Sequence, residues 1–426
     1  MSALDRAEVH RRPRVIIIGG GFGGISAAQG LRHANVDVLV IDRHNHYVFQ
    51  PLRYQVASAT LAPSDIAVPI RWYLRGQDNT EVLLGDVTSI NPVARTVMVD
   101  GDREEPYDFL VVAAGSRHAY FGHPEWERDA PGLKSLDDAL EMRSRFLEAF
   151  ERAEATDDEA EQRAWQTIVI VGGGPTGAEL AGIMVLIARH ALRRDFRRID
   201  TTRTRVILVE GGPRVLPTMP EELSARALDD LRAMGVEVRL GTMVTEVTPT
   251  HVRLGDEVVE THTVFWAAGN QASPLGRQLG PTDRVGRVLV EPDLSVAAFP
   301  EVFVVGDMAV TTQANGRPVP GVAQGAMQGG RCAADNIVRT LERRARRPFR
   351  YQNRGDMATL GRHRAVADLP GGLRFGGTIA WLLWLFLHIA YLAGFRNRLI
   401  VLLEWGWEYL TWQRGVRLLP GRRSRA

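Results

Sequence analysis

Two glycine clusters, each followed by an acid, carry the clearest chemical potential in this sequence. Gly19-x-Gly21-x-x-Gly24 follows the apolar run Val15–Ile18, and Asp42 stands eighteen residues beyond Gly24. In such a turn the first glycine makes the tight bend and the second lets backbone approach a pyrophosphate. The third lets helix lie on strand. The phosphates then meet unpaired N–H groups at the positive end of the helix. Asp42, at a strand end, is placed to accept from ribose hydroxyls. Gly172-x-Gly174-x-x-Gly177 repeats the arrangement, with Glu210 as its acid. A carboxylate there favours a free 2′-hydroxyl over a 2′-phosphate, hence NADH over NADPH, with Arg214 nearby acting against that preference. Gly306-Asp307, ending the run Val302–Val305, suits a flavin ribityl or phosphate contact. Two nucleotide sites in one chain imply electron transfer between bound carriers, with FAD in the first and larger domain.

The elements that must position these residues form a repeat. Val15–Ile18, a helix near Ile25–His33 and Val36–Ile41 make the first strand–turn–helix–strand unit. Thr167–Val171, Ala178–His190 and Arg205–Val209 make the second. Each is followed by a strand ending in Ala-Ala-Gly, at Phe109–Ala113 and Val264–Ala267. Glu81–Leu84 and Thr96–Val99 read as strands of a small antiparallel unit. Residues 134–163 read as a charged helical region and Gly325–Arg339 as a helix. The pattern predicts an α/β fold of two nested Rossmann-like dinucleotide-binding domains. The FAD-binding domain would span 13–163 and 291–348, the inserted NADH-binding domain 164–290, and a C-terminal amphipathic helical membrane-anchoring region 349–426.

Composition narrows the function. Of 426 residues, 52 Lys+Arg nearly cancel 50 Asp+Glu, so no global field selects nucleic acid as a partner. A single cysteine, Cys332, excludes an intrachain disulfide, a redox dithiol and a cysteine-based metal site, and no metal is expected. Cys332 reads as a small apolar helix residue.

The last fifty residues differ from the rest. Gly376–Gly394 is apolar except for His388, which reads as a packed or interfacial histidine. Leu399–Trp412 is apolar apart from Glu404 and Glu408. Five of the nine tryptophans (381, 384, 405, 407, 412) fall here, and tryptophan favours membrane–water interfaces. Arg396, Arg398, Arg414, Arg417, Arg422, Arg423 and Arg425 punctuate the segment and would reach anionic headgroups at about 1 kcal/mol each. Nineteen residues are long enough to span a bilayer, but the acids and arginines predict a segment lying in the interface.

The sequence resembles the type II, non-proton-pumping NADH:quinone oxidoreductases of the pyridine nucleotide-disulfide oxidoreductase superfamily. The resemblance rests on GGGFGG (19–24), Phe49–Ala57, Tyr107–Val112, Tyr120–His123, GGGPTGAELAG (172–182), Gln271–Gly276, Val304–Asp307, Ala323–Gln328 and Gly394–Arg398. It implies oxidation of NADH and reduction of a membrane quinone, ubiquinone or menaquinone, through non-covalent FAD. It implies FAD contacts from Phe22, Gly23, Arg43, Val87, Ala114, Gly115, Ala323 and Gln324, and NADH contacts from Pro175, Thr176, Ala268 and Gly269. It also implies that Gln324 and Gln328, four apart on one helix face, line the quinone pocket, and that Glu179 tunes charge or relays protons between nicotinamide and flavin. The expected location is the cytoplasmic face of the inner membrane, monotopic, with a homodimer left open. Arg53, Ala114 and Asn270 depart from the family pattern. The alternatives are a non-enzymatic NAD/FAD redox sensor and a flavoprotein reductase with another acceptor. Sulfide:quinone and disulfide reductases fail for want of a cysteine pair.

Overall fold

The structure is a computed structural model, and it describes residues 12–313, 316–411 and 417–419. The chain forms two compact units, Met1–Tyr47, Val68–Arg117 and Asn270–Asn353 in the first, and Val48–Ala67, His118–Gly269 and Arg354–Ala426 in the second.

The first unit is built on a sheet in the order 295–296, 299–304, 109–112, 14–18, 37–42 and 80–84. All neighbours run parallel except the terminal 295–296 strand. The central strands are unbroken apolar runs because both faces are covered. On one face, Val87–Asn91, Thr96–Val99 and Arg103–Pro106 form an antiparallel sheet whose Val87, Ile90, Val97 and Val99 pack on Ile16, Ile18, Leu110 and Val112. Elsewhere the helices Phe22–Gly30 and Ala323–Leu341 touch through their backbones. A Cβ on Gly330 would stand 2.1 Å from the Gly23 carbonyl oxygen. One expectation is corrected: Thr80–Leu84 is the outer parallel strand beside 37–42, not part of the antiparallel unit. An edge strand is covered on one side only, so its half-exposed pattern reads like an antiparallel strand.

The second unit repeats the parallel core in the order 236–240, 205–210, 167–171 and 263–266. Helix Leu136–Ala155 belongs here. Ser135 caps it, accepting the Asp138 N–H, and its buried Phe146 and Phe150 pack edge to face, Phe150 also meeting Phe196. The chain passes between the compact units at 47/48, 67/68, 117/118, 269/270 and 353/354, whereas the nucleotide-binding domains are expected to divide at 163/164 and 290/291.

The C-terminal part contains a three-stranded antiparallel sheet, Asp356–Gly361, Arg364–Leu369 and Leu373–Gly376. The sequence pattern assigns this stretch to the helical region expected over 349–426, and the sheet occupies the first part of it instead. Its turns are marked by Gly361 and by Pro370-Gly371-Gly372, a signal that was available. Helix Pro175–Leu186 lies directly on the first of these strands: a Cβ on Gly182 would come within 1.8 Å of the Leu360 carbonyl oxygen.

Two helices follow, Gly377–Tyr391 and Phe395–Thr411. The apolar stretch expected over 376–394 stops being helical at Leu392, and Gly394 takes φ +83. Its fifteen helical residues reach about 22 Å, short of a hydrocarbon core. Among the described residues no helix is long and apolar enough to cross a membrane. Large apolar side chains stand in solvent on both helices, including Phe386 at 74% exposure and Leu403 at 63%. The side chain of Glu408, and Trp412, Arg414, Arg422, Arg423 and Arg425, lie outside the described residues.

Candidate functional site

In the first unit the Gly19–Gly24 turn is shaped by close backbone contacts. Gly19 has φ +100, and a Cβ there would lie 2.4 Å from the Ala113 carbonyl oxygen. A Cβ on Gly24 would lie 1.8 Å from the Gly19 oxygen. Gly21 is different: nothing lies within 4 Å of its Cβ position. Helix Phe22–Gly30 starts at Gly21 with no side-chain cap and no acid in its first turn, so its leading N–H groups remain for an anion. The Asp42 carboxylate accepts N–H bonds from Gly20 at 2.6 Å and His44 at 2.7 Å. Burial alone would raise this carboxyl, but the bonds from His44 and Gly20 outweigh it and hold it below the usual range.

Around this turn stand the other expected contacts. Ala114 and Gly115, the latter at φ +67, follow strand 109–112. Gly306, at φ +68, and Asp307 follow strand 299–304, and Asp307 accepts the Ser116 hydroxyl at 2.7 Å. A pocket of about 760 Å³ opens beside Ser116, Gly306, Asp307 and Ala326. Phe22, Gly23 and Val87 are buried and Arg43 is exposed. The open Gly21 position and uncapped helix fit a dinucleotide pyrophosphate. Ala323 begins helix Ala323–Leu341 with Gln324 half-buried in its first turn. Gln328 is already engaged: its Nε2 donates to the Gln352 carbonyl and its Oε1 accepts the Gln352 N–H, each at 2.9 Å. Cys332 lies half-buried on the same helix, its thiol pushed up to about 11 by burial and then by Asp335 and Asp293.

The second unit carries the matching turn. Gly172 has φ +109 and no room for a side chain against Ala267 and Ala268, whose backbone lies 2.7 Å from a Cβ there. Gly177 would place a Cβ 1.8 Å from the Gly172 oxygen, while Gly174 faces open space. Pro175 occupies the first turn of an uncapped helix free of early acids, with Thr176 beside it. Glu210 accepts the Gly173 N–H at 2.6 Å and the Gly212 N–H at 2.7 Å. Ala268 and Gly269, the latter at φ +71, follow strand 263–266. Arg214 donates to the Pro217 carbonyl at 2.9 Å. This turn also fits a dinucleotide.

The same unit contains an apolar cleft, open to solvent on one side, with Tyr54, Gln55, Glu179, Thr359, Trp384 and Trp405 on its walls. Gly182 brings helix 175–186 so close to strand 356–361 that Glu179 faces Thr359, whose N–H reaches the Glu179 Oε1 at 3.4 Å. Burial pushes the Glu179 carboxyl up to about 8, and the Thr359 N–H pulls only weakly the other way. Trp405 donates its indole N–H to Gln55 Oε1 at 2.8 Å, and Gln55 Nε2 donates to the Tyr54 hydroxyl at 2.9 Å. Among the described residues the buried indole N–H of Trp384 has no acceptor. His388 stacks on Trp384, its Nδ1 bonded to the Trp384 carbonyl at 2.7 Å, and burial pushes its imidazole down to about 4. Neither Trp405 nor Thr359 was singled out as a site residue from the sequence. The tryptophan clustering pointed to the first, and nothing local pointed to the second.

A fold of two Rossmann-type nucleotide turns with an added C-terminal sheet and helices defines a class, and comparison with known proteins agrees. The pattern of the pyridine nucleotide-disulphide oxidoreductase family matches residues 13–330, and that of the NDH2 C-terminal domain matches residues 353–411. The type II NADH:quinone oxidoreductase Ndh of Mycobacterium tuberculosis is 45% identical, over 96% of this chain and 90% of its own. NdhA of the same organism is also 45% identical, over 97% and 91%. The structure of NDH2 from Plasmodium falciparum in complex with NADH superposes with a TM-score of 0.87 at 18% identity, covering 95% of this chain and 100% of that one, which shows the shared fold. The chain belongs to the pyridine nucleotide-disulphide oxidoreductase family and, within it, to the type II NADH:quinone oxidoreductases.

Proposed function

We propose that this chain oxidises NADH and reduces a membrane quinone, using FAD held without a covalent bond and pumping no protons. Bound FAD supplies the two-electron carrier between the two substrates. In this reading residues 13–163 and 291–348 serve FAD and 164–290 serve NADH. Residues 349–426 hold the protein to the membrane. The Gly19–Gly24 turn and Asp42 hold the FAD pyrophosphate and ribose, with Phe22, Arg43, Val87, Ala114, Gly115, Gly306, Asp307 and Ala323 around it. The Gly172–Gly177 turn with Pro175, Thr176, Ala268 and Gly269 holds NADH. Glu210 repels a 2′-phosphate, and Arg214, occupied by Pro217, does little to offset that.

The observation that carries the reading is the apolar cleft with Glu179 on its wall. With a carboxyl raised to about 8, Glu179 keeps its proton at neutral pH and can deliver it. Gln324 offers an amide to a quinone carbonyl. Gln328 does so through its second Nε2–H, the first being used by Gln352. The exposed Phe386 and Leu403 support attachment to a lipid surface, assigned here to the cytoplasmic face of the inner membrane. Membrane attachment leaves a homodimer compatible. A sensor that merely stores electrons has no need of a proton donor in an apolar cleft. The test is NADH oxidation by purified, FAD-loaded protein with a short-chain quinone, with NADPH in parallel. Rapid turnover with NADH alone is expected. Reduced protein that is not reoxidised by quinone would defeat the reading.

A further inference from the structure

The second unit has another depression that the redox reading does not use. An open pocket of about 960 Å³ is lined by Arg189, His190, Arg193, Thr202, Arg362 and Arg364, together with apolar residues and no acid. Arg189 and His190 come from the turn Ile187–Ala191 that ends helix 175–186, Arg193 follows it, and Arg362 and Arg364 come from the 356–369 hairpin. Arg364 pairs with Asp230 at 2.5 Å. Arg189 donates to the carbonyls of Met234 and Gly235, which fix its position without cancelling its charge. Its Nε is buried and has no acceptor among the described residues. Among the described residues neither Arg189 nor Arg193 makes a salt bridge, although Arg189 lies near enough to Glu237, and Arg193 to Asp200, for their charges to attract. The crowding registers on His190, held below its ordinary value by burial and then by Arg362, Arg189 and Arg193.

Like charges gathered from two elements repel one another, and an anion in their midst relieves that repulsion. Guanidinium forks match the oxygens of a phosphate, and several of them around one pocket favour phosphate over a single carboxylate. We propose that this pocket binds a phosphate group, carried by an anionic membrane lipid or by a small soluble phosphate. Its surroundings suit the first source. Arg362 also borders the apolar cleft, and Arg417, just beyond the last apolar helix, donates to the Ala191 carbonyl on the turn that carries His190. Arg417 is itself paired with Asp195, so it anchors the chain here rather than adding a free charge, and a headgroup would lie beside helices whose apolar side chains already stand exposed.

The proposal concerns binding and is independent of turnover, so its test reads no activity. FAD-loaded full-length protein is floated with phosphatidylcholine vesicles and with equal parts phosphatidylcholine and phosphatidylglycerol. In parallel, inorganic phosphate is titrated while the His190 signal is followed in histidine-labelled protein. Arg193→Glu is the main variant because its side chain is exposed, Arg189→Gln is the second, and Arg163→Glu on helix 159–165 controls for net charge. A lipid source predicts that wild type prefers the phosphatidylglycerol vesicles and that Arg193→Glu cuts this preference by about fivefold or more while the control does not. A soluble source predicts that inorganic phosphate moves the His190 titration upward, and that the shift disappears in both pocket variants with vesicle preference unchanged. Vesicle preference and His190 titration that are both indifferent to the pocket variants would overturn the proposal.

Discussion

Trp405 donates its indole N–H to the side-chain oxygen of Gln55, 2.8 Å away, and so ties the last apolar helix to the Phe49–Ala57 segment across the cleft that holds Glu179. Gln55 is buried and passes its own N–H to the Tyr54 hydroxyl. Trp405→Phe keeps an aromatic ring, though a smaller one, and removes the bond, leaving the Gln55 oxygen unsatisfied at a cost of about 1–3 kcal/mol. The expected outcome is a raised KM for quinone with the KM for NADH unchanged. Steady-state kinetics with each substrate varied in turn checks it.

Glu179 makes stability depend on pH in a defined window. Its folded value of about 8 lies above the ordinary 4.5. Below the lower value the carboxyl is protonated in both states and contributes no slope. Between the two, the unfolded chain ionises while the folded one holds its proton, so stability falls as pH rises, by on the order of a few kcal/mol in all. Glu179→Gln should flatten that part of the profile and slow quinone reduction. Urea midpoints for both proteins at pH 5 and at pH 8.5 test the first claim, and single-turnover reoxidation by quinone tests the second.

The two glycines at 21 and 24 should fail differently. Gly21 has extended backbone and no neighbour around its Cβ position, so Gly21→Val should fold normally and lose FAD because the added branches occupy the pyrophosphate's approach. Gly24→Ala drives a Cβ against the Gly19 oxygen and should cost the fold itself. Circular dichroism and flavin absorbance after gel filtration separate the two. A yellow Gly21→Val protein contradicts the cradle.

Glu210 binds the Gly173 and Gly212 N–H groups, and in the proposed reading it also faces the NADH ribose. Glu210→Gln removes the negative charge and keeps one of the two acceptor oxygens, giving up the bond from either Gly173 or Gly212. The NADH over NADPH preference in kcat/KM should narrow by roughly tenfold, about 1.4 kcal/mol. An unchanged ratio would reassign the choice of coenzyme to other residues.

The exposed face of the last two helices predicts membrane loss without cofactor loss. Phe386→Asp with Leu403→Asp should abolish co-sedimentation with lipid vesicles and leave flavin content intact. Cutting the chain after Pro348 is a poorer experiment, because it also removes the 356–361 strand on which helix 175–186 rests.

The nucleotide turns were legible because the glycine spacing is local: Gly24 and Gly177 are demanded by the carbonyls of Gly19 and Gly172 in their own turns, while Gly19 and Gly172 are pressed by the ends of the strands that carry Ala113 and Ala267. The cleft was not, because Tyr54, Glu179, Thr359 and Trp405 are far apart in the chain and meet only in the folded unit. Gln328 shows a middle case. Its spacing from Gln324 put both on one face, but its bonds to Gln352 depend on where the following segment returns. The edge strand Thr80–Leu84 was misassigned because its half-exposed pattern carries no mark of its partner's direction.

Gly182, three residues beyond Glu179, lets its helix sink onto strand 356–361 until a single methyl group would no longer fit. That spacing sets how much water and how many dipoles surround the carboxyl. Proton affinity in the cleft is therefore a mechanical property: Gly182→Ala, which alters no charge, should wedge the two backbones apart, let solvent in beside Glu179 and make it a stronger acid.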